Sequence, residues 1–136
     1  LRIGVKHDHV GITLASTKFE EAVDWYSDKL DFVIAQRFEA HGSTFVFITN
    51  GDTKIELISA GAENRNGVPD SLIASHDVER LHHFCLTVPN MDETLAELES
   101  RGIVPFAGPF QVDQINQRIA FITDIAGTII ELTSPA

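Results

Sequence analysis

The sequence predicts an α+β fold in which two βαβββ repeats share one curved, partly closed eight-stranded sheet. Three observations carry that prediction. The first is an internal repeat, the feature to seek before single elements are read. His9-Val10-Gly11-Ile12-Thr13-Leu14 matches His83-Phe84-Cys85-Leu86-Thr87-Val88 at a spacing of 74 residues, with His first, Thr fifth and an aliphatic residue sixth. Phe45 to Thr49 aligns with Ile119 to Thr123 at the same spacing, and Thr53 to Leu57 with Thr128 to Leu132 at 75. The second is the order of elements, which reads as strand, helix and three strands in both halves. The third is size. The chain has 136 residues, 43% of them hydrophobic, enough for one ordinary domain, whereas halves of about sixty residues are small for independent stability. One domain over 1–136 is therefore expected, with repeat one at about 5–60, a linker at about 61–79 and repeat two at about 80–135.

The elements follow in order. His9 to Leu14 and His83 to Val88 alternate side chains through β-branched and aliphatic residues, as half-buried strands do. From Lys18 to Leu30, the apolar residues Phe19, Ala22, Val23, Tyr26 and Leu30 recur at helical spacing, and Met91, Leu95 and Leu98 do so in the second half. Asn90, with Glu93 three residues on, reads as a helix N-cap, and Gly102 as the residue just past the helix end. Strands are expected at Phe32 to Phe38, Thr44 to Thr49 and Lys54 to Ser59, then at Val104 to Val112, Arg118 to Thr123 and Thr128 to Thr133. Asn50-Gly51-Asp52 and Asp124-Ile125-Ala126-Gly127 supply hairpin turns. Ala60 to Glu79, with Gly61, Asn64, Asn66, Gly67 and Pro69, has no clean period and reads as the linker.

Charge and cysteine content narrow the partners. Ten Lys and Arg against twenty Asp and Glu give a net charge of −10, a field that repels phosphate backbones and anionic lipid, so neither nucleic acid nor a membrane is the expected partner. The longest run without a charged residue, Ala40 to Gly51, is too short to span a bilayer. Cys85 is the sole cysteine and no basic-then-apolar stretch opens the sequence, so a reducing, cytoplasmic setting is expected.

The repeat also carries the ligand-type residues. With a period of two, His9 shares a strand face with Gly11 and Thr13, while Val10, Ile12 and Leu14 point toward the helix. His83 lies likewise with Cys85 and Thr87. Glu56 is bracketed by Ile55 and Leu57, and Glu131 by Ile130 and Leu132. A pseudo-twofold relation between the repeats would bring His9, Glu56, His83 and Glu131 to a common centre. Two neutral imidazoles and two carboxylates balance one divalent ion, and mixed nitrogen and oxygen donors suit Zn, Ni, Co, Mn or Fe. An octahedral ion held by four protein ligands keeps two positions for vicinal substrate oxygens. His82 is expected on the opposite side of its strand from His83, and His7 at the surface. Cys85 reads as a small packing residue, and Trp25 and Tyr26 as helix packing.

The segments His9-Val-Gly-Ile-Thr-Leu, Phe19-Glu-Glu-Ala-Val-Asp-Trp-Tyr, Ile55-Glu56-Leu57, His82-His83-Phe-Cys-Leu-Thr-Val and Phe121-Ile-Thr-Asp-Ile-Ala-Gly-Thr-Ile-Ile-Glu131-Leu resemble the vicinal oxygen chelate superfamily. That superfamily includes glyoxalase I, methylmalonyl-CoA epimerase, extradiol dioxygenases, fosfomycin-resistance enzymes and metal-free bleomycin-binding proteins. The resemblance places its four metal positions on His9, Glu56, His83 and Glu131. A complete His/Glu/His/Glu set resembles the glyoxalase branch more than the two-His, one-carboxylate dioxygenases.

The resemblance implies a metal-dependent lyase or isomerase with one divalent ion, acting on a small oxo or acyl substrate. It would abstract a proton next to a carbonyl through a metal-bound enediolate, with Glu131 or Glu56 as the base. It also implies a homodimer. The alternatives are an epimerase resembling methylmalonyl-CoA epimerase, an extradiol-type dioxygenase and a non-catalytic drug-binding protein. Thr13 stands where glutathione-using glyoxalases tend to carry Arg, and Asp113-Gln-Ile-Asn-Gln-Arg118 stands where the epimerase has a Gly-His-Gly stretch.

Overall fold

The structure, a computed structural model, describes residues 2, 4, 6–40, 42–59, 68–77 and 81–136. It divides into two compact units, Leu1–Glu63 and Asn64–Ala136, which match the two sequence repeats.

In the first unit, β1 (Val10–Leu14) leads through a short 3-10 turn (Ser16–Lys18) into α1 (Phe19–Leu30), followed by β2 (Val33–Ala40), β3 (Ser43–Asn50) and β4 (Thr53–Ser59). The sheet order is β1-β4-β3-β2. β2, β3 and β4 form an antiparallel meander, while β1 runs parallel to β4. Parallel neighbours cannot be joined by a tight turn, so the helix and the meander lie between them in sequence. Ile12, Leu14, Val46, Ile48, Ile55 and Leu57 are buried. α1 packs against β4 and buries Phe19, Ala22, Val23, Trp25 and Tyr26. Each such large side chain withdrawn from water contributes roughly 1.5–3 kcal/mol. Glu20 and Glu21 in the first turn and Lys29 in the last complement the helix dipole.

The second unit repeats this plan with β5 (His83–Thr87), α2 (Met91–Ser100), β6 (Ala107–Val112), β7 (Gln117–Thr123) and β8 (Ile129–Pro135). Its sheet order is β5-β8-β7-β6, with β5 parallel to β8. α2 is fixed at both ends by the residues its sequence suggests. Asn90 Oδ1 accepts from the Glu93 amide at 3.0 Å. At the other end Gly102 has φ +85°, and Gly102 and Ile103 donate to the Glu99 and Leu98 carbonyls at 3.0 and 2.8 Å. That is the paired closure of a Schellman motif. Met91 and Leu98 are buried, and α2 packs on β7 and β8.

Two expectations change. The eight strands pair as two four-stranded sheets rather than one continuous sheet closing toward a barrel, because every ladder among the described residues stays within its repeat. β6 begins at Ala107 instead of Val104. Its register shifts between Ala107 and Phe110, where Gly108 has φ +88° and any Cβ would stand 2.9 Å from the Ile119 carbonyl oxygen. Only glycine fits there. No helix among the described residues is long and apolar enough to cross a membrane.

Candidate metal centre

Each unit brings one predicted His and one predicted Glu together, and the two arrangements match. The parallel ladders set the Gly11 backbone opposite Glu56 and the Cys85 backbone opposite Glu131. His9, just ahead of β1, and His83, at the start of β5, then reach the carboxylates of the neighbouring strands. His9 Nε2 is 3.7 Å from Glu56 Oε1, and His83 Nε2 is 3.3 Å from Glu131 Oε1. Side-chain exposures are 33% and 18% in the first pair and 35% and 17% in the second. The spacing changes from 74 to 75 between the His and Glu positions because the β7–β8 turn is one residue longer. Asp124 organises that turn, its Oδ1 accepting from the Ala126 and Thr128 amides at 2.9 and 2.8 Å.

Both imidazoles are also held from behind. Asp8 Oδ2 is 2.7 Å from His9 Nδ1, and an ionised carboxylate only accepts, so Nδ1 donates and the neutral ring has its lone pair on Nε2. This hydrogen bond, with the Lys54 ammonium 3.6 Å away, holds the Asp8 carboxyl below its ordinary range. The ring of His9 meets Phe47 edge-on at 5.4 Å, and His83 meets Phe121, the matching residue, at 6.0 Å. Behind His83 the place of Asp8 is taken by His82, whose Nδ1 is 2.8 Å from His83 Nδ1.

His82 therefore corrects the expectation that it faces away from His83. It precedes β5, so strand alternation does not govern its side chain. Its Nε2 reaches Ser75 Oγ at 2.8 Å, a contact from the linker that periodicity could not disclose. The 74-residue correspondence of Asp8 with His82 was the available signal.

The donor chemistry fits a divalent cation. Two ligand atoms about 2.1 Å from one ion stand about 3.0 Å apart at a right angle and about 3.4 Å apart at the tetrahedral angle. The second pair lies within that range and the first a few tenths of an ångström beyond it. Among the described residues no group of three or more His, Cys, Asp or Glu side chains is gathered at one point, so the four predicted residues are seen as two pairs, each inside its own unit.

Cys85 occupies the position of Gly11. It is exposed, rather than packed as the sequence suggests; desolvation first, and then the Glu131 carboxylate, push its thiol up to about 12, which keeps it protonated. His7 is exposed, as expected, and Trp25 and Tyr26 are buried against each other. Arg37 forms a two-pronged ion pair with Glu20 of α1.

Known proteins give the same outline. The chain is 22% identical over 125 residues to human mitochondrial methylmalonyl-CoA epimerase, covering 89% of this chain and 70% of that protein. The solved structure of a glyoxalase family protein from Enterococcus faecalis superposes with a TM-score of 0.75 at 18% identity, covering 94% of this chain and 96% of the other. An antibiotic binding protein, TnmS3, from Streptomyces sp. CB03234 superposes at 0.68 and 17% identity, covering 99% and 100%. The family model for the Glyoxalase/Bleomycin resistance protein/Dioxygenase superfamily matches residues 6–132. With two βαβββ units and a family match that spans nearly its whole length, this chain belongs to the Glyoxalase/Bleomycin resistance protein/Dioxygenase superfamily.

Proposed function

We propose that the chain is a metal-dependent lyase or isomerase that removes a proton from the carbon next to a carbonyl, and that one pair of each kind, His9–Glu56 and His83–Glu131, furnishes one divalent-cation centre. The observation that carries this reading is the repeated His–Glu pair, each with Nε2 turned toward the carboxylate and Nδ1 engaged from behind. Two neutral imidazoles and two carboxylates leave such a centre with no net charge. The cation, when bound, supplies a Lewis acid that stabilises negative charge developing on vicinal substrate oxygens.

The protein's own groups do the rest. Nε2 of His9 and of His83 are the nitrogen donors. A carboxylate oxygen of Glu131 takes the substrate proton, and its 17% exposure limits competition from water. Return of that proton to the adjacent carbon isomerises the substrate, and delivery from the opposite face, by Glu56, epimerises it. The likeness to methylmalonyl-CoA epimerase and Thr13, where glutathione-using glyoxalases tend to carry Arg, favour an acyl thioester over a glutathione adduct. The same reading expects a homodimer, with a light-scattering mass of twice 15.0 kDa.

The test is solvent deuterium exchange at the carbon next to the carbonyl, over a panel of acyl-CoA epimers and 2-oxoaldehyde hemithioacetals. Exchange by the parent protein should fall about 10²–10⁴-fold in Glu131→Gln, which keeps an oxygen donor and loses the proton acceptor. No exchange on any member of the panel would overturn the enzymatic reading in favour of small-molecule binding.

A further inference from the structure

We propose that His82 and Ser75 are positioning residues that fix the tautomer of His83, so that its Nε2 presents a lone pair to a cation; the inference rests on the metal-centre reading above. The Ser75 hydroxyl donates to the Leu72 carbonyl. A hydroxyl has one proton, so toward His82 the Ser75 oxygen can only accept. His82 Nε2, 2.8 Å away, is therefore the donor and carries the proton. A neutral imidazole with its proton on Nε2 has a bare Nδ1, which accepts from His83 Nδ1 at 2.8 Å. With its own proton on Nδ1, neutral His83 is left with a lone pair on Nε2, the nitrogen that faces Glu131. One backbone carbonyl thus sets, through two side chains, which nitrogen of His83 can bind a cation.

The relay is built to hold its direction. Ser75 is 6% exposed, and its short turn is fixed by bonds from the Ser75 amide to the Ser71 carbonyl and from the Ala74 amide to Ser71 Oγ, both 3.0 Å. The ring of His76 lies 4.7 Å from that of His82. In the first unit Asp8 orients His9 in a single step, with a carboxylate that cannot donate. His82 and Ser75 perform the same task in two steps and add no negative charge. Groups that orient a ligand imidazole in this way commonly alter metal affinity 10–100-fold.

The experiment is long-range ¹H–¹⁵N correlation on metal-free protein labelled at histidine nitrogens, together with Zn(II) affinity by chelator competition. In the parent, His83 should carry its proton on Nδ1 and His82 on Nε2. His82→Phe should redistribute the His83 proton toward Nε2 and weaken Zn(II) binding about 10–100-fold, and His82→Asp, copying Asp8, should restore both. Ser75→Ala, which leaves both rings in place, should give His83 a mixed tautomer. A His83 proton on Nε2 in the parent, or a folded His82→Phe protein with parental tautomer and affinity, would overturn the proposal. A parent that shows the relay yet binds no Zn(II) would overturn the metal-centre reading and leave the relay standing.

Discussion

Asp8 accepts a hydrogen bond from Nδ1 of His9 at 2.7 Å, leaving the far nitrogen of that ring turned toward Glu56. His82 holds the same position relative to His83. The repeat has thus kept the arrangement of an imidazole and its support while changing the supporting residue.

Removing that support in the first unit should be felt in metal affinity. Asp8→Ala is expected to weaken Zn(II) binding about 10–100-fold, with a smaller loss in Asp8→Asn, whose amide oxygen still accepts. Competition with a chromophoric chelator measures both, and parental affinity in Asp8→Ala would show that His9 needs no partner at Nδ1.

Asp124 is 3% exposed and accepts from two backbone amides in the β7–β8 turn. Asp124→Ala leaves those donors without this acceptor and should cost about 1–3 kcal/mol, read as a lower urea midpoint. An unchanged midpoint would mean that the turn, and with it the register that places Glu131, is set by other contacts.

The ion pair between Glu20 and Arg37 joins α1 to β2. The Arg37 guanidinium, chiefly through its hydrogen bonds, lowers the Glu20 carboxyl from its ordinary 4.5. A depressed folded-state value means that the stabilisation is present above about pH 4.5 and is lost as pH falls through the lowered value. Side-chain exposures of 63% and 45% keep it at about 0.5 kcal/mol. Glu20→Gln should therefore unfold slightly earlier than the parent near neutral pH and together with it in strong acid. A gap between the two that widens on acidification would contradict this account.

Much of this architecture is legible in the sequence because it is written twice. The period of Phe19, Ala22, Val23 and Tyr26 marks α1, and Asn90 and Gly102 mark the ends of α2 through cap chemistry that needs no tertiary information. The place of His83 beside Glu131 follows from repeat position and strand alternation, and that of His9, just ahead of β1, from repeat position alone. Ser75 was hidden because it sits in a segment without period, and the reach of His82 because alternation applies only inside a strand. The division into two sheets was equally hidden, since alternation tells which face a residue takes and not which edges meet. The start of β6 depends on the close approach of Gly108 to Ile119, a contact distant in sequence.

The proposed cation centre of His9, Glu56, His83 and Glu131 is read out by elemental analysis of purified protein and its His9→Ala and His83→Ala variants. The parent should hold one divalent ion for each set of four residues, and each variant, lacking one donor on an otherwise intact backbone, should lose most of it. Parental metal content in both variants, or a parent that takes up no ion after incubation with Zn(II), Ni(II), Co(II), Mn(II) or Fe(II), would contradict the account.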